Sequence, residues 1–99
     1  MIGVDRFKAV IDEFDYDIAD KVLVELARVI HSNIDSFDLV GRLGTDEFLV
    51  SILSNSNENQ VESLALKIID DFANTDIIVD DKNKQILKKT ICIGMNKFV

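Results

Sequence analysis

The chain has 99 residues, enough for one small domain, and its 47% hydrophobic and 29% charged residues are typical of a globular protein. Its formal net charge of −7 argues against a nucleic-acid partner, because contacting phosphates requires a basic face. No apolar run approaches the roughly 20 residues that span a bilayer, so we expect no membrane segment and a cytoplasmic location. The chain has a single cysteine, Cys92, which excludes an intrachain disulfide. Cys92 lies within a run of alternating apolar residues and is therefore predicted to be a buried, unreactive thiol.

The first third of the chain predicts one strand and one strong helix. Met1–Val4 is an apolar run typical of a buried strand, and Asp5–Phe14 spaces its apolar residues in a loosely helical way. In Asp17–Asn33 the apolar residues recur at steps of three and four, which predicts an amphipathic helix. Asp17 is the expected N-cap of that helix, with Asp20 in its first turn.

The remaining chain predicts two hairpins on either side of a second helix. Leu39–Leu43 and Phe48–Leu53 alternate as strands do and are joined by a short connection that contains a glycine. Asn57–Asn74 carries a second amphipathic stripe. Ile77–Val79 and Leu87–Met95 are predicted to be strands around a polar turn.

Two amphipathic helices against one mainly antiparallel sheet predict an α+β fold with a two-layer βαββαβ plan, of the ferredoxin-like kind. We expect residues 1–99 to form a single domain. The plan alone does not indicate a function, because many unrelated proteins share it. The apolar faces predict a buried core of Val22, Leu23, Leu26, Ile30, Phe48, Val50, Leu64, Ile68, Phe72, Ile91 and Ile93.

Four segments carry motifs whose order along the chain is informative. Gly44-Thr45-Asp46-Glu47-Phe48, at the predicted hairpin tip, resembles the signature of the GGDEF (diguanylate cyclase-type) family, and Arg42 stands where that family has an arginine. Val4–Asp12 resembles the family's D-x-D-x-F-K-x-I-N-D segment, and Asp15–Leu23 resembles its G-H-x-x-G-D-x-V-L segment. Thr90–Gly94 resembles the late T-x-S-x-G strand. The resemblance covers nearly the whole chain and implies a nucleotidyl-cyclase-like version of the two-layer fold.

The resemblance implies an activity that joins two GTP molecules into cyclic di-GMP with Mg²⁺ as the cofactor. It makes Asp46, Glu47 and Lys8 the candidate catalytic residues: Asp46 would bind the metal and remove a proton, and Lys8 would lie near the transferring phosphate. The backbone carbonyl of Val4 would be a further metal ligand. A plainer interpretation makes the two acidic residues a solvated hairpin tip and the lysine a surface charge.

The same resemblance implies three substrate contacts. Asp20 would contact guanine, Tyr16 stands in place of the family's histidine, and Gly44 would let the backbone approach the phosphates. Asp20 is equally well explained as a charge in the first turn of a helix. Tyr16 could either pack in a loop or stack on a base.

Several positions depart from the family pattern. Gly3 stands where the family has its first metal-binding aspartate, and Ile11 stands where an asparagine contacts guanine. Thr45 replaces the second signature glycine, Ala19 replaces the glycine of the G-D pair, and Asp35 replaces the arginine of the product-inhibition site. These departures predict a weakened active site and an incomplete Mg²⁺ site. We therefore expect that the chain binds no metal, and that any metal it did bind would be Mg²⁺.

Three functions remain open at this point. The first is a non-catalytic signalling module of cyclic di-GMP pathways, acting in regulation, nucleotide sensing or dimerisation. The second is an active diguanylate cyclase whose remaining elements lie outside these residues, and the third is a scaffold without a ligand. The expected partners are GTP or another guanine nucleotide, bound weakly, and a second copy or a partner signalling domain. We expect the chain to be a fragment of a longer signalling protein.

Overall fold

Three helices and six strands make up the described part of the computed structural model, which is residues 1–34, 39–42, 44, 46–52, 58–80, 82 and 85–94. In chain order they are β1 (Ile2–Val4), α1 (Phe7–Glu13), α2 (Tyr16–Asn33), β2 (Leu39–Arg42), β3 (Glu47–Ser51), α3 (Glu58–Ala73), β4 (Ile77–Asp80), β5 (Gln85–Leu87) and β6 (Ile91–Ile93). The predicted α+β fold is confirmed. Within these residues, no helix is long and apolar enough to cross a bilayer.

The main sheet has four strands in the order β2-β3-β1-β6, and every neighbouring pair is antiparallel. β1 therefore lies inside the sheet, where Ile2 pairs with Phe48 on one side and with Ile93 on the other. The hairpin predicted between β2 and β3 is present, with Arg42 opposite Phe48. β4 and β5 form a separate two-stranded sheet.

The hydrophobic core lies between α2, α3 and one face of the main sheet, with β4 at its edge. The side chains with the least exposure are Val22, Leu26, Ile30, Phe72 and Ile77. Among the predicted core residues, Val50, Leu64 and Ile93 are half-buried at the margin of this core, and the others are buried. The apolar stripes of the two long helices thus face the sheet as predicted.

The N-cap of α2 differs from the prediction by two residues. The helix begins at Tyr16, and the carboxylate of Asp15 accepts a hydrogen bond from the Ile18 amide at 3.0 Å. Asp15 is the N-cap because its side chain satisfies one of the amides that the first turn leaves unpaired. Asp17 lies in the first turn instead, where its charge still opposes the positive end of the helix dipole.

The predicted strand Leu87–Met95 is two strands that belong to different sheets. β5 ends at Leu87 and pairs with β4, whereas β6 begins at Ile91 and pairs with β1. The three residues between them, 88–90, carry the chain from one sheet to the other. Met95 lies outside the described residues, as do Leu43, Leu53 and Asn57, which were predicted to end or begin elements.

Cys92 is exposed, so its predicted burial is wrong. Ile91 is buried in the core, and successive strand residues point to opposite faces, so the middle residue of β6 points away from the core. The alternation that predicted the strand therefore also contained the signal for an exposed thiol.

Candidate functional site

The register between β1 and β3 brings four of the predicted site residues together. Gly3 lies directly opposite Glu47, and the amide of Val4 donates a hydrogen bond to the carbonyl oxygen of Asp46 at 3.3 Å. We call these four residues, Gly3, Val4, Asp46 and Glu47, the β1–β3 site. Two segments that are more than 40 residues apart in sequence meet here because β1 is inserted beside β3 in the sheet.

The side chains of this site are divided between the two faces of the sheet. Ile2 and Val4 are buried, and so is Phe48, which lies opposite Ile2. Gly3 and its partner Glu47 therefore belong to the other face, because directly opposed residues of an antiparallel pair share a face. Glu47 is exposed. We call this face, which lies opposite the core, the open face of the sheet.

The backbone of Val4 is oriented toward the hairpin. In an antiparallel strand the N–H and C=O of one residue point toward the same neighbouring strand. Since the Val4 amide donates to Asp46, the Val4 carbonyl oxygen also lies on the β3 side of β1. The carbonyl thus lies on the same side of β1 as the hairpin, and its role as a metal ligand stays a prediction.

Gly44 lies at the exposed surface of the β2–β3 connection. The Arg42 guanidinium Nε donates a hydrogen bond to the Gly44 carbonyl oxygen at 3.0 Å, which ties the end of β2 to the connection. A Cβ atom added at Gly44 would have nothing within 4 Å. Thr45, the replacement for the second signature glycine, lies outside the described residues.

Three predicted site residues lie on the helices rather than on the sheet. Lys8 is exposed on α1, and Tyr16 and Asp20 are exposed on α2, with Tyr16 75% exposed. Tyr16 and Asp20 are four residues apart, so they lie one above the other on the same helix face. Within the described residues, none of the three forms a hydrogen bond or ion pair with the β1–β3 site. Ile11, in place of the guanine-contacting asparagine, packs against the hydrophobic core.

Asp5, at the end of β1, takes part in a cluster that the sequence analysis did not identify. The Thr90 hydroxyl donates a hydrogen bond to Asp5 Oδ2 at 2.8 Å, and the Asp5 amide donates to the Thr90 carbonyl at 3.0 Å. A hydrogen bond from the Cys92 thiol, followed by the one from Thr90, holds the pKa of the Asp5 carboxyl below its usual value. The same carboxylate raises the pKa of Cys92, first through that hydrogen bond and then through its charge.

The Asp5 cluster borders a shallow surface depression of about 540 Å³. Three cationic side chains, Arg6, Lys88 and Lys89, line this depression together with Asp5. The chain turns from β1 into α1 through Arg6, which has a left-handed backbone with φ 54°. Lys88 also pairs with Asp76 at 3.5 Å, and both of these side chains are more than half exposed.

The β1–β3 site lacks one of the carboxylates that the family resemblance assigns to a magnesium centre, because Gly3 stands in place of the aspartate. Mg²⁺ requires near-octahedral oxygen coordination and is usually bound through one or two carboxylates. Gly3 contributes no ligand from its side chain. Within the described residues, no group of three or more His, Cys, Asp or Glu side chains could hold a metal ion.

Comparison with known proteins identifies the family of this chain. The family profile "Diguanylate cyclase, GGDEF domain" matches residues 1–98. The chain belongs to the GGDEF family. Diguanylate cyclase A from Treponema denticola is 31% identical to this GGDEF chain over 98 residues, which are 99% of this chain and 25% of that protein.

Solved structures of GGDEF domains share the fold. The GGDEF domain of TpbB (YfiN) from Pseudomonas aeruginosa superposes with a TM-score of 0.82 and 29% identity, over 91% of this chain and 51% of that one. Diguanylate cyclase SiaD from the same organism, solved with its activator SiaC, gives a TM-score of 0.80 and 30% identity, over 91% of this chain and 33% of that one. This GGDEF chain thus spans about half of the first structure and a quarter of the Treponema relative.

Proposed function

We propose that this chain is a non-catalytic GGDEF domain of cyclic di-GMP signalling, which regulates an attached or partner domain. The observation that carries the proposal is the position of Gly3. It lies on the open face of β1, directly opposite Glu47, where the family pattern requires a metal-binding carboxylate. A second, independent departure is Ile11, which packs against the core instead of offering a hydrogen bond to guanine.

Both departures remove functions that the reaction needs. Forming the phosphodiester requires a divalent cation to neutralise the phosphates and activate the attacking hydroxyl. Removing one group that stabilises the charge of a transition state commonly costs about 100–1000-fold in rate. An apolar side chain at the guanine contact leaves polar groups of the base without a hydrogen-bond partner, which weakens GTP binding further. The losses compound because two substrates must be aligned at once.

Weak binding of GTP or another guanine nucleotide is compatible with the residues that remain. Tyr16 and Asp20 lie on one exposed helix face, where an aromatic ring and a carboxylate could stack on and accept hydrogen bonds from a base. The relative SiaD, which is solved with a protein activator, supports control of such a domain through protein contacts. A partner domain or a second copy of this chain is therefore the expected macromolecular ligand.

The alternative is an active diguanylate cyclase whose remaining elements lie outside these residues. The names of the relatives favour it. Gly3 and Ile11 count against it, because both lie within the part of the chain that the structure describes, and additional segments would not change them.

The test is an assay of GTP conversion by the full chain. Concentrated protein is incubated with GTP and Mg²⁺, and then Mn²⁺, and the products are separated by chromatography. We expect no cyclic di-GMP and no pyrophosphate above the level of a protein-free control. Product that disappears in an Asp46→Ala variant would overturn the proposal.

Nucleotide binding is measured separately by calorimetry with GTP. Binding that weakens in Tyr16→Ala and Asp20→Ala, but not in the neighbouring Asp17→Ala, would support nucleotide sensing. Absence of binding would favour regulation through protein contacts alone.

A further inference from the structure

We propose that the free edge of β5 is a docking site for an extended, acidic segment of a partner protein, which would add to the β4–β5 sheet as a third strand. The apolar side chains of this segment would contact Ile78 and Ile86, and its carboxylates would lie over the shallow depression beside Asp5. The inference rests on the proposed regulatory function, for which it names the chemistry of the partner. The β1–β3 site takes no part in it.

β5 is an edge strand with an uncovered side. Among the described elements it pairs only with β4, and only β4 packs extensively against it. β4, in contrast, also contacts α2, where the Lys21 ammonium donates a hydrogen bond to the Ile78 carbonyl oxygen at 3.3 Å. An uncovered edge presents N–H and C=O groups that another extended chain can bind. Strand addition would also support the hairpin, because a sheet of two strands is only marginally stable by itself.

The outer face of this two-stranded sheet carries a pair of exposed isoleucines. Ile78 and Ile86 are directly opposed and are 50% and 51% exposed, whereas the preceding residue of β4, Ile77, is buried in the core. Apolar side chains on neighbouring strands stabilise a sheet when they lie side by side. A partner strand with an apolar residue beside Ile86 would therefore remove apolar surface from water.

The charges that follow β5 favour an acidic partner. Lys88 and Lys89 come directly after Leu87, and together with Arg6 they line the depression of about 540 Å³. Of these three cations, only Lys88 forms an ion pair with a described carboxylate, and the Asp76 side chain with which it pairs is itself more than half exposed. In a chain with a net charge of −7, this cluster is a local positive field that attracts carboxylates.

Two other occupants fit this surface less well. A free phosphate ion would meet the Asp5 carboxylate, which lines the same depression. A second copy of β5, paired antiparallel, would bring its own Lys88 close to the lysine that precedes Gln85, and like charges directly opposed destabilise a sheet. A partner strand with an apolar centre and acidic ends avoids both conflicts.

The experiment titrates a synthetic peptide into the ¹⁵N-labelled chain without nucleotide and follows the backbone amide shifts. The peptide has a valine-threonine-valine centre, glutamates at both ends and blocked termini. We expect saturable shifts centred on residues 85–89 and on Arg6. The same peptide with lysine in place of glutamate should not bind. A peptide with N-methylated amides in its centre should bind at least about fivefold more weakly, because it cannot form the hydrogen bonds of an added strand.

Matched variants test the charges and the apolar pair separately. Arg6→Gln combined with Lys89→Gln should lower the affinity for the peptide at least about threefold, whereas Lys67→Gln, on the exposed surface of α3, should not change it. Ile86→Thr keeps a β-branched side chain in the strand and should also weaken binding, whereas Leu66→Thr, at a 59% exposed position of α3, should not. Circular dichroism shows whether each variant is folded, and the charge variant decides if Ile86→Thr is not.

The proposal is overturned if the peptide causes no shifts, or shifts centred elsewhere, or if the lysine peptide or the N-methylated peptide binds equally well. It is also overturned if inorganic phosphate causes the same shifts, if raising the chain concentration alone shifts the β5 amides, or if either folded variant keeps the native affinity. Because this readout needs neither nucleotide nor turnover, its failure would leave the non-catalytic assignment intact. Turnover of GTP would equally leave the measured peptide binding intact.

Discussion

At the scale of single residues, Asp5 alters the chemistry of a neighbouring thiol. Its carboxylate accepts a hydrogen bond from the Thr90 hydroxyl and lies beside the Cys92 thiol, where β1 meets β6. A thiolate at Cys92 would lie beside this negative charge, so the pKa of the thiol is raised although the side chain is exposed. The apolar neighbours of Cys92 in the sequence predict an unreactive thiol through burial. In the structure, the feature that opposes its reactivity is electrostatic.

Asp5→Asn should make Cys92 react faster with iodoacetamide near pH 8. The substitution removes the charge that disfavours the thiolate, so the thiolate fraction and the alkylation rate should rise severalfold. The rate is followed by mass spectrometry. Asp12→Asn, on the exposed surface of α1, is the control and should leave the rate unchanged. Equal rates in the native chain and Asp5→Asn would contradict the assigned interaction.

Asp5 should also contribute a small, pH-dependent part of the folding stability. Its pKa is lowered in the folded state, so the contribution is present above the ordinary carboxyl pKa of about 4 and is lost as the pH falls through the lowered value. Because Asp5 is only half-buried and solvent screens its charge, we expect less than about 1 kcal/mol at pH 7. Urea unfolding of the native chain and Asp5→Asn should show a difference at pH 7 that shrinks toward pH 3. A difference that grew on acidification would have the wrong sign.

At the scale of secondary structure, periodicity located the elements but did not identify their partners. Leu87–Met95 was predicted as one strand, yet β5 joins β4 and β6 joins β1, and Lys89 interrupts the apolar alternation between them. The alternation of apolar and polar residues indicates which side chains of a strand point toward the core. It does not indicate which other strand pairs with that strand. The N-cap of α2 was missed for a related reason. Both Asp15 and Asp17 are good capping residues, and only the backbone geometry decides between them.

The capping assignment predicts an asymmetry between these two aspartates. Asp15→Ala should destabilise the chain by about 1 kcal/mol, because the Ile18 amide loses its acceptor. Asp17→Ala should cost no more than about half of that, since it removes only a favourable charge from the first turn. Both values are obtained from urea unfolding at neutral pH. Equal costs, or a larger cost at Asp17, would move the start of the helix back to the predicted position.

For the whole molecule, stability depends on the packing of the apolar faces of α2 and α3 against one face of the sheet. This packing was the part of the structure most predictable from sequence. The stripes of α2 and α3 form the core as expected, because a stripe at helical spacing has to be covered by something apolar. The predicted β1–β3 site could be placed only through the family motifs. No local pattern indicates that residue 3 lies opposite residue 47, since that contact depends on the order of strands in the sheet.

Two leucine substitutions test the assignment of the core. Leu26→Ala should destabilise the chain by about 2–5 kcal/mol, because Leu26 on α2 is fully buried and its removal leaves a cavity. Leu66→Ala removes the same atoms from α3, where the side chain is 59% exposed, and should cost no more than about 0.5 kcal/mol. Chemical denaturation measures both. Similar losses at the two positions would mean that α2 does not face the sheet.

The position of β1 between β3 and β6 has a consequence for the order in which the domain is made. Among the described strands, β1 is synthesised before the others, but one of its edges stays unpaired until β6 has been synthesised, about 90 residues later. Closing that edge joins the extremes of the described chain, through hydrogen bonds such as the one from the Gly94 amide to the Met1 carbonyl at 2.9 Å. Contacts between residues so distant in sequence form slowly. Until β6 pairs with β1, the unpaired edge of β1 can form hydrogen bonds with another chain. The nascent chain should therefore be most prone to aggregation just before β6 leaves the ribosome.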